Sequence, residues 1–319
     1  MLSFDVEEHD RIEAAVGLEI SPAMKRCYRG RMGWSIRWLL SELEKRGVRA
    51  TFFIIGEVAQ RVPNLVRRIH RAGHELASHG WDHRRILSQS REVFLEDVRR
   101  SRDVLEQISG EAVVGYRAPT FSIVRSTAWA IGALAELGME YDSSVQPIWH
   151  DRYGVPDAPR QPYIVRVGGS QLLELPMATA RVCGVNLPVG GGGYFRLLPL
   201  WITERALAWS RSSDQTTAPT FYFHPWEFDA DQPRLPLGRL NRFRTYVGIK
   251  GNRERFKAFL DHYPFQRAID LKKALSHCLS RLPIFDLAES AGGLYARPDR
   301  VDATNLCVQT TYLHSPTSG

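Results

Sequence analysis

A chain of 319 residues, 44% hydrophobic and 24% charged, is long enough for one large α/β domain with an appended piece and too apolar for wholesale disorder. No apolar run reaches bilayer-spanning length, and the opening MLSFDVEEHD lacks the basic start and apolar stretch of a secretory signal, so a cytoplasmic protein without a transmembrane segment is expected. The net charge of +7 (pI near 9.4) is carried by arginines spread along the chain among acids; this reads as a solvated surface and not a nucleic-acid site, and leaves room for a polyanionic substrate or association with a membrane surface.

In chain order, LSFDV reads as a strand and WSIRWLLSELEKRG as a helix closed by Gly47. RATFFII, rich in aromatic and β-branched residues, is a second strand. VAQRVPNLVRRIHRAG is a helix ending at Gly73, and HELASH a third short strand. REVFLEDVRRSRDVLEQISG has apolar positions at helical spacing and stops at Gly110. AVVGYRAP, STAWAIGALAELG and MEYDSS continue as strand, helix, strand. This β-α-β-α rhythm predicts a parallel sheet wrapped by helices, open or closed into a barrel. Residues 146–170, rich in Pro, Gly and Arg, read as an insertion. QLLELPM resumes a strand, LLPLWITERALAWSRS is a helix, and PTFYFHPWEF is the last core strand. Beyond residue 265 periodicity is weak, and the Ser/Thr/Pro-rich end TTYLHSPTSG is expected to be mobile. Cys27, Cys183, Cys278 and Cys307 form no CxxC pair and are expected as reduced thiols.

Four segments carry candidate chemistry. In FDVEE, Asp5 and Glu7 stand two apart and would share one strand face, either gathered around a cation or part of a solvated acidic loop with Glu8 and Asp10. In SHGWDH, His79 and His83 are four apart, which on a helical turn places both imidazoles on one side; such a pair holds a divalent ion such as Zn²⁺ or is merely structural. His74 just upstream is given a structural role. In GYRAPTF, Arg117 precedes a loop stiffened by Pro119 and either clamps a carboxylate with its fork or is a surface arginine beside a turn proline. In FYFHPWEFD, His224 ends an aromatic strand as a core or pocket group, and Trp226 offers a flat wall of the kind sugars pack on. Gly190–Gly193 lack the Gly-Lys-Ser/Thr of a phosphate loop and read as a flexible closing loop or a plain connection. Asp142, His150 and Asp151 are substrate-contact or loop-ordering candidates.

Taken together and in order, the acidic strand end, ATFFIIGEVAQRVPNLVRRIHRAGHELASHGWDH, YRAPTFS, LELP and the late histidine strand resemble the polysaccharide deacetylase superfamily (carbohydrate esterase family 4, the NodB homology domain). YDSSVQPIWHDRYGVPDAPR and NLPVGGGGYFRLLP resemble its branch linked to exopolysaccharide and protein-sorting loci. The resemblance covers residues 1–265 and implies a distorted (β/α) barrel with the 146–170 insertion, leaving 266–319 as a C-terminal extension that is partly mobile. It further implies Asp5 as catalytic base, His79 and His83 as metal ligands, Arg117 orienting Asp5, and His224 as general acid. Where the superfamily pattern has a second aspartate, this chain has Val6, so Glu7 is the candidate third ligand. Thr120 stands where an aromatic residue is common, with its backbone N–H available to an oxyanion; Thr120, Trp226 and Tyr194 are the substrate-binding candidates. The implied activity is metal-dependent removal of the N-acetyl group from an amino sugar in a polysaccharide, oligosaccharide or precursor, with release of acetate. Two alternatives stand beside it: hydrolysis of a non-sugar cyclic amide, and a catalytically inactive carbohydrate-binding protein.

Overall fold

A computed structural model describes residues 1–205 and 219–288 of the chain. Alternation along the first strand, β1 (Leu2–Val6), sets the architecture: Leu2, Phe4 and Val6 enter the main apolar core, while Ser3 and Asp5 point to the opposite, polar face. Phe4 stacks on Phe52 at 4.9 Å between ring centroids and meets Phe223 and Phe256 edge-on or tilted. Each such fully buried ring stabilises the fold by about 2–3 kcal/mol relative to exposure.

β1 is flanked by β2 (Thr51–Ile54), and β3 (Glu75–Ser78), β4 (Gly115–Tyr116) and β5 (Tyr141–Asp142) follow in sequential, parallel order. Beyond β5 the chain forms an antiparallel hairpin of β6 (Tyr163–Val167) and β7 (Ser170–Glu174), with β7 against β5. A two-stranded ribbon, β8 (Thr179–Val182) and β9 (Val185–Pro188), precedes β10 (Phe221–Phe223), which pairs parallel with β1. The strand β11 (Ile284–Asp286) pairs with β6 and makes the far edge. The fold is the expected α/β type, but among the described residues no pairing joins β10 to β11, so the nine-stranded sheet is an open arc and not a closed barrel. The hairpin also reverses strand direction, which leaves the edge strand β11 antiparallel to β10.

Several element boundaries differ from the sequence reading. Helix α1 (Pro22–Lys45) starts well before Trp34, since the Ser21 hydroxyl caps Met24 N–H and Pro22 fits the first turn. The helix expected across VAQRVPNLVRRIHR divides into α2 (Gly56–Arg61) and α3 (Pro63–Arg71), because Pro63 cannot donate and Val62 leaves the helical region at ψ 55°. Helix α4 (Arg91–Ser109) runs from the Ser90 cap to Gly110 at φ 75°, and α5 (Trp129–Glu136) covers the hairpin side. The stretch 146–170, read as an insertion, contributes β6 to the main sheet. Helix α6 (Gly192–Leu197) begins inside the glycine run, residues 200–205 are helical, and the rest of that expected helix lies outside the described residues. After α7 (Arg239–Tyr246) and α8 (Asn252–His262), residues past 265 form α9 (Ala268–Leu275) and β11, packed through Ala268, Leu271 and Leu275. The Ser/Thr/Pro-rich end and Cys307 lie outside the described residues. Cys27, Cys183 and Cys278 are free thiols, and no described helix is long and apolar enough to cross a membrane.

Candidate metal centre and active site

The C-terminal ends of β1, β3, β4 and β10 open into one cleft of about 210 Å³, bounded also by the segments around residues 150 and 192 and by α7. Asp5, Glu7, His79, His83, Thr120, His224 and Trp226 all line it.

Arg117, wholly buried, fixes Asp5. Its Nη1 donates to Asp5 Oδ1 at 2.6 Å and to Ser3 Oγ at 2.9 Å; its Nε and Nη2 donate to the carbonyl and hydroxyl of Ser143 at 3.1 and 3.0 Å. The guanidinium lies 3.9 Å over the Phe53 ring. A buried charge held by a carboxylate, three further oxygens and an aromatic face is compensated, whereas losing one partner costs several kcal/mol.

Glu7 sits one residue past β1, where its N–H turns back to Asp5 O at 3.1 Å. Its Oε2 lies 2.8 Å from His83 Nε2, but off the line of a hydrogen bond, so this buried oxygen has no donor. His79 engages the Arg117 carbonyl through Nδ1 at 2.8 Å, which leaves Nε2 for the cleft. Ligand atoms of Glu7, His79 and His83 lie within 4.8 Å of one another. Burial pushes the His79 imidazole down to about 4, so it is neutral with a lone pair to give; burial opposes the Glu7 charge, yet His83, His224 and His79 hold its carboxyl down at about 2. An ionised carboxylate oxygen without a donor, beside two imidazole nitrogens, fits a divalent cation.

The two histidines do not converge on a helical turn, as their spacing suggests. Residues 79–83 form an irregular loop in which Gly80 (φ 73°) and His83 (φ 67°) are both left-handed. A Cβ at Gly80 would stand 2.9 Å from Asp97 Oδ2, which itself accepts Trp81 N–H at 2.8 Å. The N-terminus of α2 grips the same loop through Gly56 and Glu57 N–H groups. Left-handed backbone at a non-glycine costs about 1–3 kcal/mol and persists where the surroundings impose it. Thr120 (φ 54°) and Phe121 (φ 50°), two residues past Ala118, show the same strain; among the described residues the Thr120 N–H meets no carbonyl.

On the other wall, His224 follows β10. Its Nδ1 lies 2.7 Å from Glu227 Oε1, which also accepts the His224 N–H, and its Nε2 lies 3.4 Å from Glu7 Oε1. Burial by itself lowers the imidazole, but the charges of Glu7, Glu227 and Asp5 carry it up to about 9. Glu227 Oε2 is held in turn by Arg196 Nε at 2.8 Å, and Arg196 Nη1 is anchored on the carbonyls of Thr245 and Val247. Trp226 is buried, stacks on His224 at 5.3 Å, and its indole points to Glu7 Oε1 at 3.4 Å. Tyr194 is exposed on α6 and lies outside the cleft lining, to which Gly192, Gly193 and Arg196 contribute.

Glu227, Arg196 and Ser143 escaped the sequence reading, although HPWE carries a His-x-x-Glu spacing that a 3₁₀ turn brings together. So did Glu174, buried opposite Asp142 in the β5–β7 register. This carboxyl pair has both acidities weakened by burial and braces residues 143–145: Asp142 accepts from Ser144 Oγ at 2.6 Å and Glu174 from Val145 N at 3.0 Å. Glu8, read as part of an acidic loop, is instead buried away from the cleft against Arg11 and Arg61. His74 takes the Ala50 N–H at 3.1 Å inside the fold. The glycine run is neither a loose flap nor a plain connection: Tyr222 N–H bonds Gly190 O at 2.8 Å, and a Cβ at Gly191 would sit 1.9 Å from Tyr222 O.

Comparisons with known proteins divide the chain in two. Residues 35–141 match the family described as polysaccharide deacetylase, and residues 143–273 match a domain of unknown function, DUF3473. A peptidoglycan-N-acetylglucosamine deacetylase of Bacillus cereus is 29% identical over 93 residues, 29% of this chain and 34% of the relative. The peptidoglycan-N-acetylglucosamine deacetylase PgdA of Listeria monocytogenes is 33% identical over 95 residues, 30% of this chain and 20% of the relative. The chain thus matches a fifth to a third of the length of these relatives. Among solved structures, the Puue allantoinase shares the fold, with a TM-score of 0.55 at 16% identity over 87% of this chain and 90% of that one. The match over residues 35–141, which holds His79, His83 and Arg117, together with these relatives, bears out the resemblance of this chain to the polysaccharide deacetylase superfamily.

Proposed function

We propose that the chain is a metal-dependent N-deacetylase of an N-acetylated amino sugar in a saccharide chain or its precursor. One observation carries this reading: the Glu7–His79–His83 cluster lies between an arginine-pinned carboxylate, Asp5, and a proton-holding imidazole, His224. A divalent ion, Zn²⁺ by the mixed imidazole and carboxylate set, would be held by those three ligands and supply Lewis acidity to the acetamide carbonyl and to a water.

The chain's own groups complete the hydrolysis. Asp5, oriented by Arg117, takes a proton from the attacking water as the C–O bond forms. The negative charge that develops on the acetyl carbonyl oxygen is met by the Thr120 N–H, a type of contact worth about 3–4 kcal/mol. His224 gives its proton to the departing nitrogen as the C–N bond breaks, and acetate and a free amine leave. Such proton donation contributes on the order of 10²–10⁴ in rate. Glu227 keeps the imidazole charged and aimed, and Trp226 backs it with an apolar wall. The curated relatives named above, which act on peptidoglycan N-acetylglucosamine, support this substrate class.

Acetate release from N-acetylglucosamine oligomers, measured beside metal content, tests the assignment. Asp5→Asn is expected to keep the metal and lose turnover at least about 10²-fold, and His79→Ala to lose both. Full turnover in Asp5→Asn removes the base, and unchanged metal content in His79→Ala removes the ligand set.

A further inference from the structure

Two arginines that line the cleft have no partner among its carboxylates, each of which is already engaged. Asp5 is paired with Arg117, Glu227 with Arg196 and His224, and Glu13 with Arg85 and Thr120, while Glu7 faces the two imidazoles. That leaves Arg152 and Arg244. Among the described residues Arg152 has no carboxylate oxygen within 4 Å; its Nη2 donates at 3.1 Å to Asn241 Oδ1, which frees the Asn241 amide N–H groups for the cleft. Arg244 meets only Asp151, at 3.6 Å, and that carboxylate is 58% exposed and outside the cleft lining.

Both arginines stand on fixed supports. Arg85 holds the Arg152 carbonyl at 2.6 Å, His150 Nδ1 accepts the Arg152 N–H at 3.2 Å, and Asn186 ties the same loop through Pro147 O at 2.7 Å. Arg244 rides on α7, whose end is tied to buried Arg196 through the carbonyls of Thr245 and Val247. Two guanidinium forks, the Arg244 side chain 49% exposed, and an amide lining one side of the cleft, with Asn241 and Arg244 three apart on α7 and Arg152 bonded to Asn241, are suited to a planar or tetrahedral oxyanion.

We propose that Arg152, Asn241 and Arg244 form an oxyanion subsite, so that the substrate carries a phosphate or a carboxylate on or next to the acetamido sugar. This rests on the N-deacetylase reading for what occupies the rest of the cleft. Phosphate would arise from a sugar phosphate or diphosphate-linked precursor, and carboxylate from an acidic sugar in the chain.

The test is calorimetric binding to the full chain treated with chelator, so that turnover plays no part. The probes are N-acetylglucosamine, N-acetylglucosamine 1-phosphate, N-acetylmuramic acid and inorganic phosphate. The parent is expected to bind at least one charged sugar about tenfold or more tightly than the neutral one; the phosphate or the carboxylate member of the pair identifies the source. Arg152→Gln combined with Arg244→Gln is expected to abolish that preference, while Arg239→Gln, exposed on α7 outside the cleft lining, keeps it and controls for net charge. Equal binding of charged and neutral sugars, or a preference that survives the double substitution, overturns the subsite. If no sugar binds but inorganic phosphate does and the double variant loses it, the subsite stands and the amino-sugar reading fails. If neither binds, both fail.

Discussion

Replacing Glu227 by Gln removes one negative charge from behind His224 while keeping an acceptor of nearly the same shape. The rise of His224 from 6.5 to about 9 corresponds to about 3 kcal/mol in favour of the imidazolium, at about 1.4 kcal/mol per pH unit. Burial opposes that charge, and Glu7, Glu227 and Asp5 supply it. A cation on Glu7 would offset the Glu7 share, so Glu227 becomes the principal support of the proton. The sign follows directly. A raised imidazole keeps its proton as pH climbs, so activity that needs the charged form is present below the raised value and lost above it. In Glu227→Gln the alkaline limb of kcat for acetate release should therefore move down by about 1 pH unit or more. Near pH 8.5 the rate should fall about threefold, approaching tenfold near pH 10, while near pH 6 the variant should stay within about 1.5-fold of the parent. Arg196 keeps its bonds to Thr245 and Val247 carbonyls, so a parallel melting curve separates the titration from unfolding. An alkaline limb that stays in place while the rate falls equally at every pH would refute His224 as the acid whose proton Glu227 holds.

Two further perturbations address the frame. Gly191→Ala places a methyl 1.9 Å from the Tyr222 carbonyl at φ 135°, so a loss of more than about 2 kcal/mol and a melting point lower by about 5 °C are expected; a shift within about 1 °C would show that α6 does not lock against β10. Asp97, raised by burial from 3.8 to about 6, makes the folded state bind the extra proton between those values, so its contribution falls by up to about 3 kcal/mol as pH rises through that window. Asp97→Asn cannot ionise and retains an acceptor for Trp81, so its stability relative to the parent should grow between pH 4 and 7; a pH-independent difference would contradict the assignment.

Much of the site was legible because strand ends and short motifs are local. The period of two in β1 puts Ser3 and Asp5 on one face, where both meet Arg117, and the FYF run delivers His224 to the same end of the sheet. The loop geometry was not legible. An i, i+4 spacing predicts neighbouring imidazoles only on a helix, and here the approach depends on left-handed Gly80 and His83, imposed by Asp97 and α2. Nor were long-range charge partners legible: Arg196 reaches Glu227 across 31 positions, and Glu174 meets Asp142 only through strand register. The Pro- and Gly-rich composition of 146–170 hid β6, whose five residues owe their strand to pairing with β7 and β11.

The boundary between the two matched regions cuts through the site and not around it. Residues 35–141 supply His79, His83 and Arg117, whereas residues 143–273 supply Ser143, Arg196, His224 and Glu227, as well as Arg152 and Arg244. The second region also closes one side of the core: β10 pairs with β1 in register Leu2 with Phe221 and Phe4 with Phe223, and Phe221, Phe223, Phe256 and Phe259 are buried there. Removing it would expose four fully buried rings, each worth about 2–3 kcal/mol, against a net stability of only about 5–15 kcal/mol for a typical domain. The region of unknown function is therefore part of the folding unit. It adds His224, Glu227, Arg152 and Arg244 to the cleft that holds Glu7, His79 and His83, so on the function proposed above differences within it would redirect the substrate while leaving the proposed ligand set intact.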